Sequence, residues 1–222
     1  MNWSEHLVNF YKDLKPPSLQ GGMEWMHPHI SPEVADVAGS FYNKFFNDRH
    51  PRLILLGINP GRFGAGVTGI NFTAPRQLDE VGISHPFKNQ SELSAGFIYE
   101  MIDAFGGAKA FYANCVLGSV CPLGLTFKGK NINYYDDKEV MEALRPFIVS
   151  SMNSLLQLPY RPVAISIGGE KNFKYLQKIN HENRWFEKID KLAHPRFIMQ
   201  YRRKEKDAYI NEYVETIRKY LL

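Results

Sequence analysis

The sequence predicts a three-layer α/β/α fold around a central, mostly parallel, four-stranded sheet. Three observations carry that expectation. Short apolar runs recur along the chain, segments of helical period separate them, and tight turns close the strands. With 222 residues, 44% hydrophobic and 14% aromatic, the chain can bury a substantial core. Residues 1–222 read as one domain with an N-terminal arm over residues 1–30.

The elements follow in order. Glu5 to Leu14 reads as a short helix, and the irregular arm after it, with Pro16, Pro17, Gly21 and Gly22, receives no role. Ser31-Pro32-Glu33 has the form of an N-cap, a first-turn proline and a first-turn acid. The helix it opens should turn Val34, Val37, Ala38, Phe41 and Phe45 inward. Leu53 to Ile58 is a buried strand stopped by a tight turn, which presents Asn59 at a strand end. Ala74 to Val81 is a short helix. Glu92 to Phe105 is a longer one, with Phe97, Ile98, Met101, Ile102 and Phe105 inward and Gly106-Gly107 ending it. Ala110 to Leu117 is the second strand, and the polar stretch Lys128 to Asn133 a hairpin. A helix from Asp136, with Glu139 in capping-box position, should run towards Leu158 with a kink or break at Pro146. Pro162 to Ile167 is the third strand, and Gly168-Gly169 turns it into a helix through Phe173, Leu176 and Ile179. Residues 185–193 alternate as a fourth strand. The last helix, Glu205 to Leu221, carries Tyr209, Ile210, Tyr213, Val214, Ile217 and Leu221 at helical spacing.

Composition excludes several classes. No apolar run approaches the roughly 20 residues of a membrane helix, and the N-terminus lacks the basic and apolar regions of a signal peptide, so a soluble, cytoplasmic protein is expected. Cys115 and Cys121 have neither the Cys-x-x-Cys spacing of a zinc or redox site nor the number for an iron–sulfur cluster, and should be reduced and buried. A net charge of +4 is mildly basic and gives weak support for a polyanionic partner.

Gly64-Ala-Gly66-Val-Thr-Gly69 matches the dinucleotide pattern G-x-G-x-x-G, but the context is wrong. Its first glycine lies well past the strand end, and no helix opens at the third. A Walker loop fails because no Lys-Ser/Thr follows. The remaining readings are a backbone wrapped round a small flat ligand, with free amides and with Phe63 and Phe72 as walls, or a surface loop anchored by its phenylalanines. Four of the seven histidines precede proline. His194 differs in following a predicted strand, which places it on the same sheet edge as Asn59. It also precedes a basic segment interleaved with Phe197, Ile198, Met199 and Tyr201. Such a segment suits phosphate contacts with apolar insertion into a base stack, or else a solvated helix start with core anchors. His27-x-His29 lacks a third metal ligand.

These motifs together resemble the uracil-DNA glycosylase superfamily, and most closely its single-strand-selective monofunctional branch. The likeness is carried by Gly57-Ile-Asn-Pro-Gly61 through Phe63-Gly64, Thr68-Gly69 and Phe72, by Asn114-Cys115 with Cys121-Pro-Leu123, and by His194-Pro195 with its basic extension. It implies a monomeric hydrolase that cleaves the bond between a damaged base and deoxyribose in single- or double-stranded DNA, without metal, cofactor or covalent intermediate. On that pattern Asn59 positions the attacking water, and His194 stabilises the departing base. Ile58, Gly61, Phe63, Phe72 and Ser119 form the base pocket, with Phe72 stacking on the flipped base. Arg196, Phe197, Ile198, Met199, Arg202 and Arg203 grip DNA and plug the gap left in the duplex. The alternative is a non-catalytic nucleic-acid or nucleotide-binding module on the same fold.

The chain departs from the family pattern in two places. Ser119 stands where the branch usually has an asparagine to read the uracil edge. A hydroxyl rotates to suit donor or acceptor, so discrimination should relax and xanthine or hypoxanthine become plausible substrates. Arg196-Phe197 replaces the small polar residue and proline usually found after His-Pro, which leaves the wedge residue open.

Overall fold

The computed structural model describes all 222 residues. Its elements are α1 (Trp3–Asp13), β1 (Met23–Met26), α2 (Pro32–Phe45), β2 (Arg52–Gly57), α3 (Ala65–Thr68), α4 (Pro75–Glu80), α5 (Leu93–Phe105), α6 (Ala108–Asn114) and β3 (Cys115–Ser119). They continue with β4 (Gly124–Phe127), β5 (Lys130–Ile132), α7 (Lys138–Leu155), β6 (Tyr160–Ser166), α8 (Gly169–Asn183), β7 (Lys188–Lys191), α9 (Pro195–Tyr201) and α10 (Lys206–Lys219).

Four strands form the central sheet in the order β3-β2-β6-β7, and every neighbouring pair is parallel. Helices flank it, so the α/β architecture holds, with a wholly parallel central sheet. All six residues of β2 are buried, as a central strand covered on both faces requires. The register sets Gly57 of β2 opposite Ser119 of β3. One cluster of 49 buried residues runs from Trp3 to Ile217 and includes both cysteines.

Several local expectations are corrected. Residues 110–114 are helical, and β3 begins only at Cys115. Gly106 and Gly107 adopt φ of 131° and 88°, which lets a new helix start at once. Phe111 and Tyr112 are both buried, Tyr112 against Phe41, Phe45 and Phe46, so a short apolar run took the helical period. The N-terminal arm contains β1, which pairs antiparallel with β4, while β4 pairs with β5 as a hairpin turning at Lys128-Gly129. The capping residue of α7 is Asp137, which accepts the Val140 N–H at 3.0 Å; Asp136 instead accepts the Asn133 N–H at 2.8 Å. The helix continues through Pro146 and ends at Leu155. Ser31 occupies the N-cap of α2 without a side-chain capping bond, and Tyr42 rather than Phe45 completes the buried face.

The amino end of β2 is held by Arg52, whose side chain is fully buried. Its guanidinium pairs with both carboxylate oxygens of Asp48, at 2.7 and 2.8 Å, and donates to the Tyr112 carbonyl at 2.7 Å. It also lies 5.1 Å from the Trp3 ring centre and 4.9 Å from that of Phe46. The Arg52 hydrogen bonds hold the Asp48 carboxyl below its ordinary pKa. A buried charge is tolerated only with such satisfaction. Asp48→Ala should therefore destabilise the fold by about 3 kcal/mol, read as a lowered urea midpoint. A loss below about 1 kcal/mol would mean that the carbonyls and aromatic faces suffice.

Candidate active site

Parallel strands aim their carboxyl ends at one edge, where loops can vary over a rigid sheet. Asn59 beyond β2, Ser119 at the end of β3, Gly168 beyond β6 and His194 beyond β7 line one cleft there, of about 580 Å³. That volume suits a nucleoside-sized ligand.

Asn59 is clamped by the last residue of β5 and the segment that follows it. Its Nδ2 donates to the Ile132 carbonyl at 3.2 Å, and its Oδ1 accepts the Tyr134 N–H at 3.2 Å. Both partners are backbone groups of fixed polarity, which settles the amide orientation. Tyr134 is itself fixed. Its hydroxyl donates to Asn172 Oδ1 at 2.9 Å, and Asn172 Nδ2 donates to the Gly57 carbonyl at 3.3 Å. The same hairpin holds the next turn, where Asn131 Oδ1 accepts the Arg62 N–H at 3.2 Å. Ile58, Gly61 and Phe63 line the cleft beside Asn59.

Phe72 also lines the cleft, at a φ of 55° that a side chain rarely adopts. A Cβ on Gly57 would lie 2.6 Å from Phe72 Cζ, so glycine at the strand end lets the ring settle against backbone. Three of the four glycine amides in the loop are engaged within it. Gly64 and Gly66 both donate to the Gly61 carbonyl and Gly69 to the Ala65 carbonyl, which closes the loop on itself through α3.

His194 caps α9 by accepting the Arg196 N–H on Nδ1 at 3.0 Å, which leaves the ring proton on Nε2. Burial, assisted by the Arg196 charge, pulls its pKa down to about 4. At neutral pH it is therefore an uncharged N–H donor. His27 and His29, considered above as metal ligands, bond instead to backbone carbonyls. His27 meets Tyr11 O at 3.2 Å, and His29 meets Gly69 O at 2.8 Å.

A family model described as the uracil DNA glycosylase superfamily matches residues 43–218. The chain belongs to the uracil-DNA glycosylase superfamily. It is similar to a solved structure, wild-type Pedobacter heparinus SMUG2, with a TM-score of 0.94 and 40% identity over 99% of this chain and 98% of that one. That likeness agrees with the branch expected from the motifs. No curated protein sequence matches. Membership makes the protein a DNA-repair hydrolase of the glycosylase class, with DNA as its partner. No helix is long and apolar enough to cross a membrane.

The glycosylase's basic segment is helical, and its period separates the residues expected to form a wedge. Ile198 is fully buried and cannot reach DNA, while Phe197 and Tyr201, one turn apart, are 43% and 68% exposed. Their ring centres are 5.7 Å apart, and both line the cleft with Arg196 and Gln200. Met199 packs partly buried against the core. Arg202 and Arg203 are exposed beyond the cleft lining, with Arg202 5.9 Å over the Phe197 ring. Sequence reasoning passed over Asn71 and Asn131, and named Tyr201 in the basic segment without singling it out as a cleft residue. For Tyr201 the signal was its i+4 spacing from Phe197.

Burial also lowers the His29 pKa to about 4, from an ordinary 6.5. As pH falls from about 6.5 to about 4, the unfolded chain takes up protons that the folded His29 and His194 refuse, so stability drops across that window. The urea midpoint should fall on acidification from pH 7 through that window, and His29→Gln should flatten the decline. An equally steep decline in the variant would remove His29 from the account.

Proposed function

We propose that this glycosylase hydrolyses the N-glycosidic bond of uracil, and of deaminated purines such as xanthine and hypoxanthine, at the start of base excision repair. It acts within the cell as a monomer over residues 1–222, on a base flipped out of single- or double-stranded DNA. The supporting observation is that one cleft holds a clamped carboxamide, an uncharged imidazole donor and an aromatic floor.

Cleavage develops positive charge on the sugar and negative charge on the departing base, so donors fixed in advance act where charge appears. His194 Nε2–H supplies such a donor to a base carbonyl. Asn59 Oδ1 has one lone pair engaged by Tyr134 N–H, and the other can accept a hydrogen bond from water. An amide cannot remove that water's proton, so Asn59 orients the nucleophile without activating it. Turnover is accordingly modest. Phe72 stacks on the flipped base. Phe197 and Tyr201, rather than Ile198, fill the gap it leaves, and Arg196, Arg202 and Arg203 meet phosphates.

Oligonucleotides carrying one uracil, xanthine or hypoxanthine, cleaved with alkali after incubation, should break at the lesion. Intact strands on every substrate, with DNA binding retained, would favour a non-catalytic binding module. Asn59→Ala and His194→Ala should each slow single-turnover cleavage at least about tenfold, or about 1.4 kcal/mol of barrier, with DNA binding largely kept. Wild-type rates in both would end these assignments. Because His194 acts uncharged, its rate contribution should stay constant from about pH 6 to about pH 8. A wild-type to His194→Ala ratio that climbs on acidification would make imidazolium the acting form.

A further inference from the structure

A serine hydroxyl in an open pocket can offer either its proton or its lone pairs. Ser119 has lost that choice. Its Oγ donates to Asn71 Oδ1 at 2.7 Å, and Asn71 Nδ2 donates to the Tyr11 hydroxyl at 2.7 Å. The Tyr11 ring is stacked on His29, with centres 4.4 Å apart and planes 6° from parallel. Asn71 and Ser119 are 5% and 7% exposed, and both line the cleft. A carboxamide thus stands beside position 119 after all, supplied from the loop before Phe72. With its proton committed, Ser119 has only lone pairs to offer a ligand.

We infer that Tyr11 and Asn71 are positioning residues that fix Ser119 as a hydrogen-bond acceptor, so that the pocket selects bases whose ring edge carries an imide or lactam N–H. The inference rests on the glycosylase reading above. Deamination makes that change at the edge. Cytosine N3 and adenine N1 are bare acceptors, whereas uracil N3 and hypoxanthine N1, like xanthine N1, carry a proton. A bare ring nitrogen facing Ser119 would bury two acceptors without a donor. Guanine and thymine already carry the N–H, so shape rather than this bond turns them away. The discrimination is stricter than a freely rotating hydroxyl allows.

The test uses single-stranded oligonucleotides with one 2′-fluoro-2′-deoxyuridine or 2′-fluoro-2′-deoxycytidine, which resist cleavage and so report binding alone. The wild type should favour uracil at least about tenfold. Ser119→Ala and Asn71→Leu should each bring that ratio to within about threefold of unity. Tyr11→Phe, which removes one oxygen and keeps the stacked ring, should lower it to an intermediate value. The ratio is unaffected by partial loss of folded protein, since both ligands meet the same molecules. A wild-type ratio near unity, or one unchanged in Ser119→Ala and Tyr11→Phe, overturns the inference. Ordinary 2′-deoxyuridine in parallel separates the two claims. Wild-type protein that excises it while the ratios stay fixed refutes the positioning role alone, and failure to excise it refutes the glycosylase reading.

Discussion

A closed ring of hydrogen bonds at the end of β2 holds the rest of the site in place. Gly57 and Asn59 are two residues apart on one chain segment, and both are gripped through Tyr134. Its N–H holds the Asn59 side chain, while its hydroxyl reaches Asn172, which returns to the Gly57 carbonyl. Tyr134 and Asn172 are fully buried, so these bonds form away from competing water and leave the carboxamide little freedom. Reacting groups need placement to within a fraction of an ångström, and fixed neighbours provide it better than loop stiffness does. At the other end of the strand, Arg52 does the same job with charge, joining the turn after α2 to the end of α6.

What the sequence disclosed, and what it did not, follows from where the information lies. Leu53 to Ile58 was legible because four apolar residues and a glycine turn state both burial and an ending, and Asn59 and His194 because each follows such an ending. The clamp on Asn59 was not. Its partners are backbone groups of Ile132 and Tyr134, and a backbone amide has no residue identity to read. The segment over 110–114 failed for another reason. Alanine and aromatic residues fit helix or strand, and only packing of Phe111 and Tyr112 decides. The wedge illustrates the same limit at one residue. Composition made Ile198 equivalent to Phe197, and the helical period of α9 sends one inward and the other to the cleft.

The two sheets divide the labour. The parallel sheet collects strand ends at one edge, and the small antiparallel sheet of β1, β4 and β5 braces what projects there. A Cβ on Gly124 of β4 would lie 2.6 Å from the Pro60 carbonyl, so the brace touches the turn that carries Asn59. The N-terminal arm, unassigned from sequence, contributes β1 to this brace and Tyr11 to the support behind Asn71.

The bonds that complete the cleft join residues far apart along the chain. Tyr11 and Asn71 are 60 residues apart, Asn59 and Tyr134 75, and Gly57 and Asn172 115. Contacts of such long range form late in folding, because the loop entropy they close is large. A chain still being synthesised therefore cannot close the ring at Gly57 until Asn172 has been added, since that residue alone joins the Tyr134 hydroxyl to the strand end.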